Sequence, residues 1–404
     1  MKILLATIYA YPPRGGLGKY MHELKTGLEQ QGHTVDILAR HHDEYYLTKG
    51  NKQSLLKRRK SGRKSQLLSS SWIGIQALKY LSDIKEEAIK FFDAVQMVDL
   101  SQYQVIHAQE IISASILKLY KPRATPLFLT LHGCVTAEYY YNGFIKPNSI
   151  GWNILSTFES QVIQQCNATI LPSQWLLNVY KKCKISTNNM KVITNGIDVE
   201  AFQRQMDQKT RIQSPSGKTV IICTGRLEKV KGQQVLLESL ARLKKKRSDW
   251  VCWIVGRGKN ESKLKKQAKK LGLGNSVEFL GMRSDIPALL KQADIFVIPS
   301  LQDNYPYSLV EAFVAGKAII GSEVGGITEM IEHSQNGLLV PPNDSGSLYR
   351  EMKKLLEKPK MKKQLSREAK QWGGTQFSLK KMTGEVLDIY NHALTKEAPV
   401  RSGS

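Results

Sequence analysis

Short uninterrupted apolar runs recur along the chain. Each is followed by a loop with glycine or proline and then by a segment with apolar positions three and four apart. Residues 2–7, Lys2-Ile3-Leu4-Leu5-Ala6-Thr7, form the first run and predict a strand. A Pro/Gly loop follows, and Met21, Leu24 and Leu28 then predict a helix over 20–31. Gly32-His33 ends that helix and 34–38 predicts a second strand, so the chain opens with a βαβ unit and a parallel sheet is expected. Further strands are predicted at 105–108, 127–131, 168–171 and 191–193, the last just before the turn signal Asn195-Gly196.

A polar stretch over 203–218, with Pro215 and Gly217, reads as a linker. The alternation then restarts, with strands predicted at 219–224, 250–255, 276–280, 295–298 and 318–321. Helices fit between them at 232–246, 261–271, 286–292 and 308–315. The fold class is therefore α/β, with two doubly wound Rossmann-like domains, 1–200 and 201–375. Met382, Val386, Leu387, Ile389 and Tyr390 suit a final amphipathic helix over 376–395, expected to pack back on the N-terminal domain, and 396–404 is expected to be a disordered tail.

Length changes this picture little: 404 residues exceed one compact core, as two domains require. No apolar run approaches the roughly 18–20 residues of a membrane span. The first apolar run ends in Tyr9-Ala10-Tyr11-Pro12-Pro13 with no cleavage-like pattern, which predicts a first strand and a cytoplasmic protein. The five cysteines are scattered and never spaced as CxxC, which argues against a zinc site or disulfide framework and for buried free thiols.

Charge adds more. The net charge is +24. Eight cations and no acid lie between Lys49 and Lys64, and Leu67, Leu68, Trp72, Ile73 and Ile75 follow. That pattern suits a basic, membrane-facing insertion over about 45–80 on an anionic surface, or equally a solvated loop. The charge alone would also admit a nucleic-acid-binding protein, but no recognition motif accompanies it.

Two loops carry candidate chemistry. Gly225-Arg226-Leu227-Glu228-Lys229-Val230-Lys231-Gly232 follows a strand and opens a helix. Cations beside free N–H groups at a helix start suit a pyrophosphate. Pro299-Ser300-Leu301-Gln302-Asp303-Asn304-Tyr305-Pro306-Tyr307-Ser308-Leu309-Val310-Glu311-Ala312 likewise runs from a strand into a helix. Its carboxylates, Asp303 and Glu311, suit sugar or ribose hydroxyls, and the Ser308 and Leu309 N–H groups an anion. Gly256-Arg257-Gly258 follows a strand too, but Glu261 stands where a dinucleotide fingerprint needs its third glycine. Tyr139-Tyr140-Tyr141 suits either stacking on an acceptor sugar or loop packing.

With Val255-Gly256-Arg257-Gly258, Phe279-Leu280-Gly281, the run from Ala293 to Ser300 and Glu311-Ala312, the sequence resembles family 4 of the retaining GT-B glycosyltransferases. Gly15-Gly16, Leu131-His132-Gly133 and Asn195-Gly196-Ile197-Asp198 match as well, and the resemblance spans nearly the whole chain except about 43–100. It implies two domains facing across a cleft and transfer of a sugar from a nucleotide-sugar donor, UDP-linked as is commonest. The expected acceptor is a glycan or lipid-linked molecule in cell-envelope or surface polysaccharide synthesis.

Residue by residue, the resemblance gives Arg226 and Lys231 the donor pyrophosphate and Glu311 the ribose. The Leu309 and Val310 N–H groups face the phosphate, with Tyr307 and Ser308 in the same donor loop. Asp303 takes donor-sugar hydroxyls, Gly15 and Gly16 let the backbone approach the donor, and His132 sits beside the transferred sugar. Asp303 stands where the family's pattern has glutamate. No cofactor and no metal is expected, and no nucleic-acid partner. A sugar-nucleotide epimerase on the same fold, or a basic nucleic-acid-binding protein, is the alternative.

Overall fold

The computed structural model describes residues 1–11, 15–49, 52–56, 77, 80, 81 and 84–397. Most of the basic stretch, from Lys57 to Lys64, and the apolar residues 67–75 lie outside them, as does the expected tail 396–404 except for 396 and 397, which are helical. The chain divides into two compact units, Met1–Thr194 with Met382–Ser404, and Asn195–Lys381. Among the described residues no helix is long and apolar enough to cross a membrane.

The first unit is built on an eight-stranded sheet among the described residues. Its strands are β1 (Lys2–Ala10), β2 (Thr34–His41), β3 (Glu44–Lys49), β4 (Lys52–Leu55), β5 (Val105–Ala108), β6 (Leu127–Thr130), β7 (Ala168–Leu171) and β8 (Met190–Val192). They lie in the order β4-β3-β2-β1-β5-β6-β7-β8. From β2 to β8 the pairing is parallel. The inner strands are buried from end to end, which is why they read as continuous apolar runs rather than alternating ones.

The parallel sheet expected from sequence is corrected at one edge, where β3 and β4 pair antiparallel. Lys49 and Lys52, read as part of the membrane-facing insertion, are register partners in that hairpin. The hairpin is held by Tyr45 and Tyr46, both buried, whose hydroxyls donate to the carbonyls of Ile8, at 2.8 Å, and Tyr11.

The last helix, Leu379–Glu397, sends Tyr390 onto this sheet. Its hydroxyl lies 2.6 Å from His107 Nδ1, and His107 Nε2 lies 2.7 Å from Thr130 Oγ1, which is 3.1 Å from the Tyr20 hydroxyl. His107 is fully buried, and desolvation pushes its imidazole down to about 3. A folded value below the unfolded one means that this stabilisation is complete above pH 6.5 and fades as pH falls toward 3. Between pH 7.5 and 4.5 His107 is expected to remove about 2–3 kcal/mol. Urea unfolding of wild type and His107→Gln at both pH values checks this: the stability difference must shift in the variant's favour at pH 4.5, and a pH-independent difference would refute it.

The second unit carries a six-stranded, all-parallel sheet: β9 (Thr219–Thr224), β10 (Trp250–Val255), β11 (Val277–Gly281), β12 (Ile295–Ile298), β13 (Ala318–Ser322) and β14 (Leu338–Val340). The order is β11-β10-β9-β12-β13-β14. The succession runs outward in both directions from β9 and β12, so the carboxyl ends of these two strands flank the topological switch point, where open α/β sheets bind ligands. The linker read at 203–218 begins later than expected, because the helix Val199–Met206 continues through its first residues. The helix Pro359–Gln376 packs on the helix Tyr307–Val314 at Gly373, where an added Cβ would fall 2.6 Å from the Phe313 carbonyl carbon.

Candidate active site

Both loops singled out in the second unit leave the carboxyl ends of switch-point strands. The Gly225–Gly232 loop follows β9 and the Pro299–Pro306 loop follows β12, which pairs with β9 through Ile295 and Phe296. The two loops are stitched together by the Leu301 N–H, which donates to the Val230 carbonyl at 2.8 Å.

Lys231 and Asp303, 72 residues apart in sequence, meet here. Lys231 Nζ lies 2.7 Å from Asp303 Oδ2, and the Ser300 hydroxyl donates to the same oxygen at 2.9 Å. Both charged side chains are largely shielded, at 20% and 10% exposed. Arg226 is different. Its guanidinium is mostly exposed and donates to Glu228 Oε1 at 3.1 Å, while its carbonyl accepts from the Gln233 side chain at 2.9 Å. The backbone of this loop is fixed, and its cation lies at the surface beside Glu228.

The helix Tyr307–Val314 begins at Pro306. The N–H groups of Leu309 and Val310, expected to face a phosphate, both donate to the Pro306 carbonyl at 3.0 and 3.3 Å. That leaves the Ser308 N–H, in the first turn, with no acceptor among the described residues. Tyr307 is buried, and Glu311 lies half-buried a turn into the helix.

In the first unit, Gly15 precedes the helix Gly16–Gln30 with φ 117°, a conformation that side chains rarely adopt, and its carbonyl accepts from the Lys19 N–H. Added Cβ atoms at Gly15 or Gly16 would meet nothing within 4 Å among the described residues. His132 follows β6 with its ring edge-on to Tyr20, centroids 5.0 Å apart. Burial pushes His132 down to about 4. At neutral pH its imidazole is therefore uncharged, suited to hydrogen bonding and not to supplying positive charge.

Residues 14–201 match the model of Glycosyltransferase Family 4, and residues 205–372 that of Glycosyl transferases group 1. The chain is a family 4 glycosyltransferase. An uncharacterized glycosyltransferase of Methanocaldococcus jannaschii is 23% identical over 98% of this chain and 99% of its own. Sucrose-phosphate synthase from Thermosynechococcus elongatus superposes with TM-score 0.74 at 17% identity, covering 98% of this chain and 99% of that one. Anabaena HepE, solved with UDP-glucose, superposes with TM-score 0.70 at 19% identity, covering 97% and 100%. The fold is GT-B.

Around the candidate site of this glycosyltransferase, several residues have packing roles that the sequence alone did not show. Gly256 and Gly258, which fail as a dinucleotide motif but belong to the family resemblance, let the strand exit of β10 lie on the Arg226 loop. Added Cβ atoms there would fall 1.9 Å from the Gly225 carbonyl oxygen and 2.4 Å from that of Leu227. Gly325 does the same for Asp303: it has φ 56°, and an added Cβ would fall 1.7 Å from the Asp303 carbonyl oxygen. Glu159, fully buried, anchors the segment after His132 by accepting from the Val135 and Thr136 N–H groups, the Thr136 hydroxyl and the Tyr180 hydroxyl at 2.6–3.1 Å. Its signal was in the sequence, as an acid among Leu155, Phe158, Val162 and Ile163 on an otherwise apolar helix face.

Of the tyrosine cluster, Tyr139 packs against Phe144, while Tyr140 and Tyr141 stay 41% and 54% exposed. All five cysteines are free and buried.

Proposed function

We propose that the enzyme moves a hexose from a UDP-sugar onto a glycan or lipid-linked acceptor with retention of anomeric configuration. The observation that carries this reading is the meeting of Lys231, Asp303 and Ser300 at the switch point, beside the exposed Arg226 and the open Ser308 N–H. Breaking the anomeric C–O bond leaves negative charge on the departing diphosphate. In this reading Arg226 and Lys231 neutralise it by preorganised electrostatics. Each charge-assisted hydrogen bond of this kind contributes about 1.5–3 kcal/mol.

Lys231 is already paired, so donor binding exchanges part of its contact with Asp303 for phosphate oxygens and leaves that carboxylate for sugar hydroxyls. Glu311 takes the ribose, and the Tyr307-Ser308 turn approaches the phosphate through the helix start. For Leu309 and Val310 the contact passes through amides already bonded to Pro306. In the first unit, the backbone at Gly15 and Gly16 suits approach to the donor, and the neutral His132 offers a hydrogen bond to the transferred sugar. Retention follows a front-face route in which the leaving phosphate takes the acceptor's proton.

The uridine assignment is supported by the UDP-glucose bound to the Anabaena neighbour. A role in envelope polysaccharide synthesis at an anionic membrane is supported by the run of cations from Lys49 to Lys64. The deciding experiment is a nucleotide-release screen across UDP-, GDP- and ADP-sugars, with Arg226→Ala as control. UDP release from a UDP-sugar, much reduced in the variant, is the expected result. Sugar interconversion without UDP release would point to the epimerase reading instead.

A further inference from the structure

The second unit has another concavity, formed by the loop 332–336 and one face of the helix Pro359–Gln376. Its volume is about 520 Å³, within the range of small-molecule sites. The helix contributes Gln364, Glu368, Gln371, Trp372 and Thr375, spaced so that all fall on one face. No residue of either donor loop lines it.

Three observations define its chemistry. First, in a chain of net charge +24 the lining contains no lysine or arginine, although Lys360, Lys362, Lys363, Arg367 and Lys370 occupy other positions of the same helix. Two acids and no cation disfavour a phosphate, sulfate or nucleic acid. Second, both acids are engaged: Glu332 accepts from the Gln335 side chain, and Glu368 accepts from Arg367 at 3.1 Å. Neither is left as a bare charge seeking a cation. Third, the side-chain amides of Gln364 and Gln371 have no hydrogen-bond partner among the described residues. Each presents two donors and an acceptor, the complement of vicinal hydroxyls.

Trp372 supplies an apolar surface in the middle of these groups. It is half-buried, and its indole N–H is buried without an acceptor among the described residues. Both walls are fixed in advance. Asn336 locks the loop by accepting from the Glu332 N–H at 2.8 Å and donating to the Met330 carbonyl at 3.2 Å, and Gly373 seats the helix on Phe313. A pre-formed groove loses little on ordering when a ligand enters.

We infer that this groove is a second carbohydrate site, which holds a neutral glycan by stacking on Trp372 and by hydrogen bonds to Gln364 and Gln371. A ligand with polar edges and apolar ring faces complements the exposed glutamine amides and the accessible part of the Trp372 ring at once. Such a site would retain a glycan chain on the enzyme between transfers, raising its effective concentration without new contacts at the reacting atoms.

The test uses the full chain with maltoheptaose, cellopentaose and dextran as neutral probes and heparin as the anionic one, followed by calorimetry or affinity electrophoresis. At least one neutral glycan is expected to bind. Trp372→Ala, and Gln371→Ala as the exposed and structurally mild variant, should weaken that binding about tenfold or more. Lys231→Ala should leave it unchanged, and UDP release should persist in Gln371→Ala. The inference is overturned if no neutral probe binds, if only heparin binds, if both groove variants bind like wild type, or if Lys231→Ala abolishes binding. The last result would assign the glycan to the donor loops.

Discussion

Lys231→Ala is expected to lower turnover about 10²–10³-fold, the usual consequence of removing one preorganised donor from a developing anion. The structure adds a way to separate this effect from simple unfolding. Lys231 and Asp303 form a shielded ion pair, so each substitution strands the other group, and both variants should lose some stability. Their effects on UDP should nevertheless diverge. Without Lys231, a carboxylate with no cation faces the diphosphate, and product inhibition by UDP should weaken. With Asp303→Asn, Lys231 loses its competing anion, and UDP should bind at least as tightly as in wild type while sugar transfer falls. Steady-state rates with UDP inhibition constants for both variants decide the matter. Equal weakening of UDP by both would show that the pair is a structural bridge and not the diphosphate grip.

The second large effect concerns Gly232, which has no functional group. It has φ 68° and caps the helix Gln233–Lys244, and an added Cβ would fall 1.8 Å from the Pro299 carbonyl oxygen. Gly232→Ala therefore combines left-handed strain of about 1–2 kcal/mol with an overpacking cost of about 1–3 kcal/mol, because the neighbour is backbone and cannot swing aside. Gly217 provides the control: its φ is 71°, and an added Cβ would meet nothing within 4 Å. Gly217→Ala should cost only the strain. Urea midpoints for the two variants separate the contributions, and equal losses would show that the two loops part without cost. Because Pro299 begins the segment that holds Asp303, Gly232→Ala should also lower activity in whatever fraction remains folded.

How much of this was legible in the sequence depends on how local each feature is. The strands 105–108, 219–224, 250–255 and 295–298 are found where expected, because a strand buried on both faces leaves a continuous apolar run bounded by polar residues. The hairpin Glu44–Lys49 and Lys52–Leu55 was not seen. Lys52-Gln53-Ser54-Leu55 has no strand pattern of its own and pairs only because β3 offers an edge. At the site, the residue types were visible and their pairing was not. Nothing near Lys231 in sequence indicates Asp303. Gly325 carries no local sign of its contact with the Asp303 carbonyl, since close backbone approaches are created by the fold. Glu159 is the intermediate case, an acid misplaced on an apolar stripe and so detectable by its conflict with the pattern.

The hydrogen bond from Tyr390 to His107 has a consequence for synthesis. The sheet that contains His107 leaves the ribosome before the second unit, and the helix that covers it leaves after. Between them the ribosome makes the whole of Asn195–Lys381. At about 5–20 residues per second that interval is on the order of 10–40 s, during which Phe128 and His107 lack their cover. The nascent enzyme thus has a window of exposed core that closes only when the helix Leu379–Glu397 has been made. Shortening the carboxyl-terminal helix would disturb the amino-terminal unit, and a chaperone present during translation would act on a surface that the finished protein no longer shows.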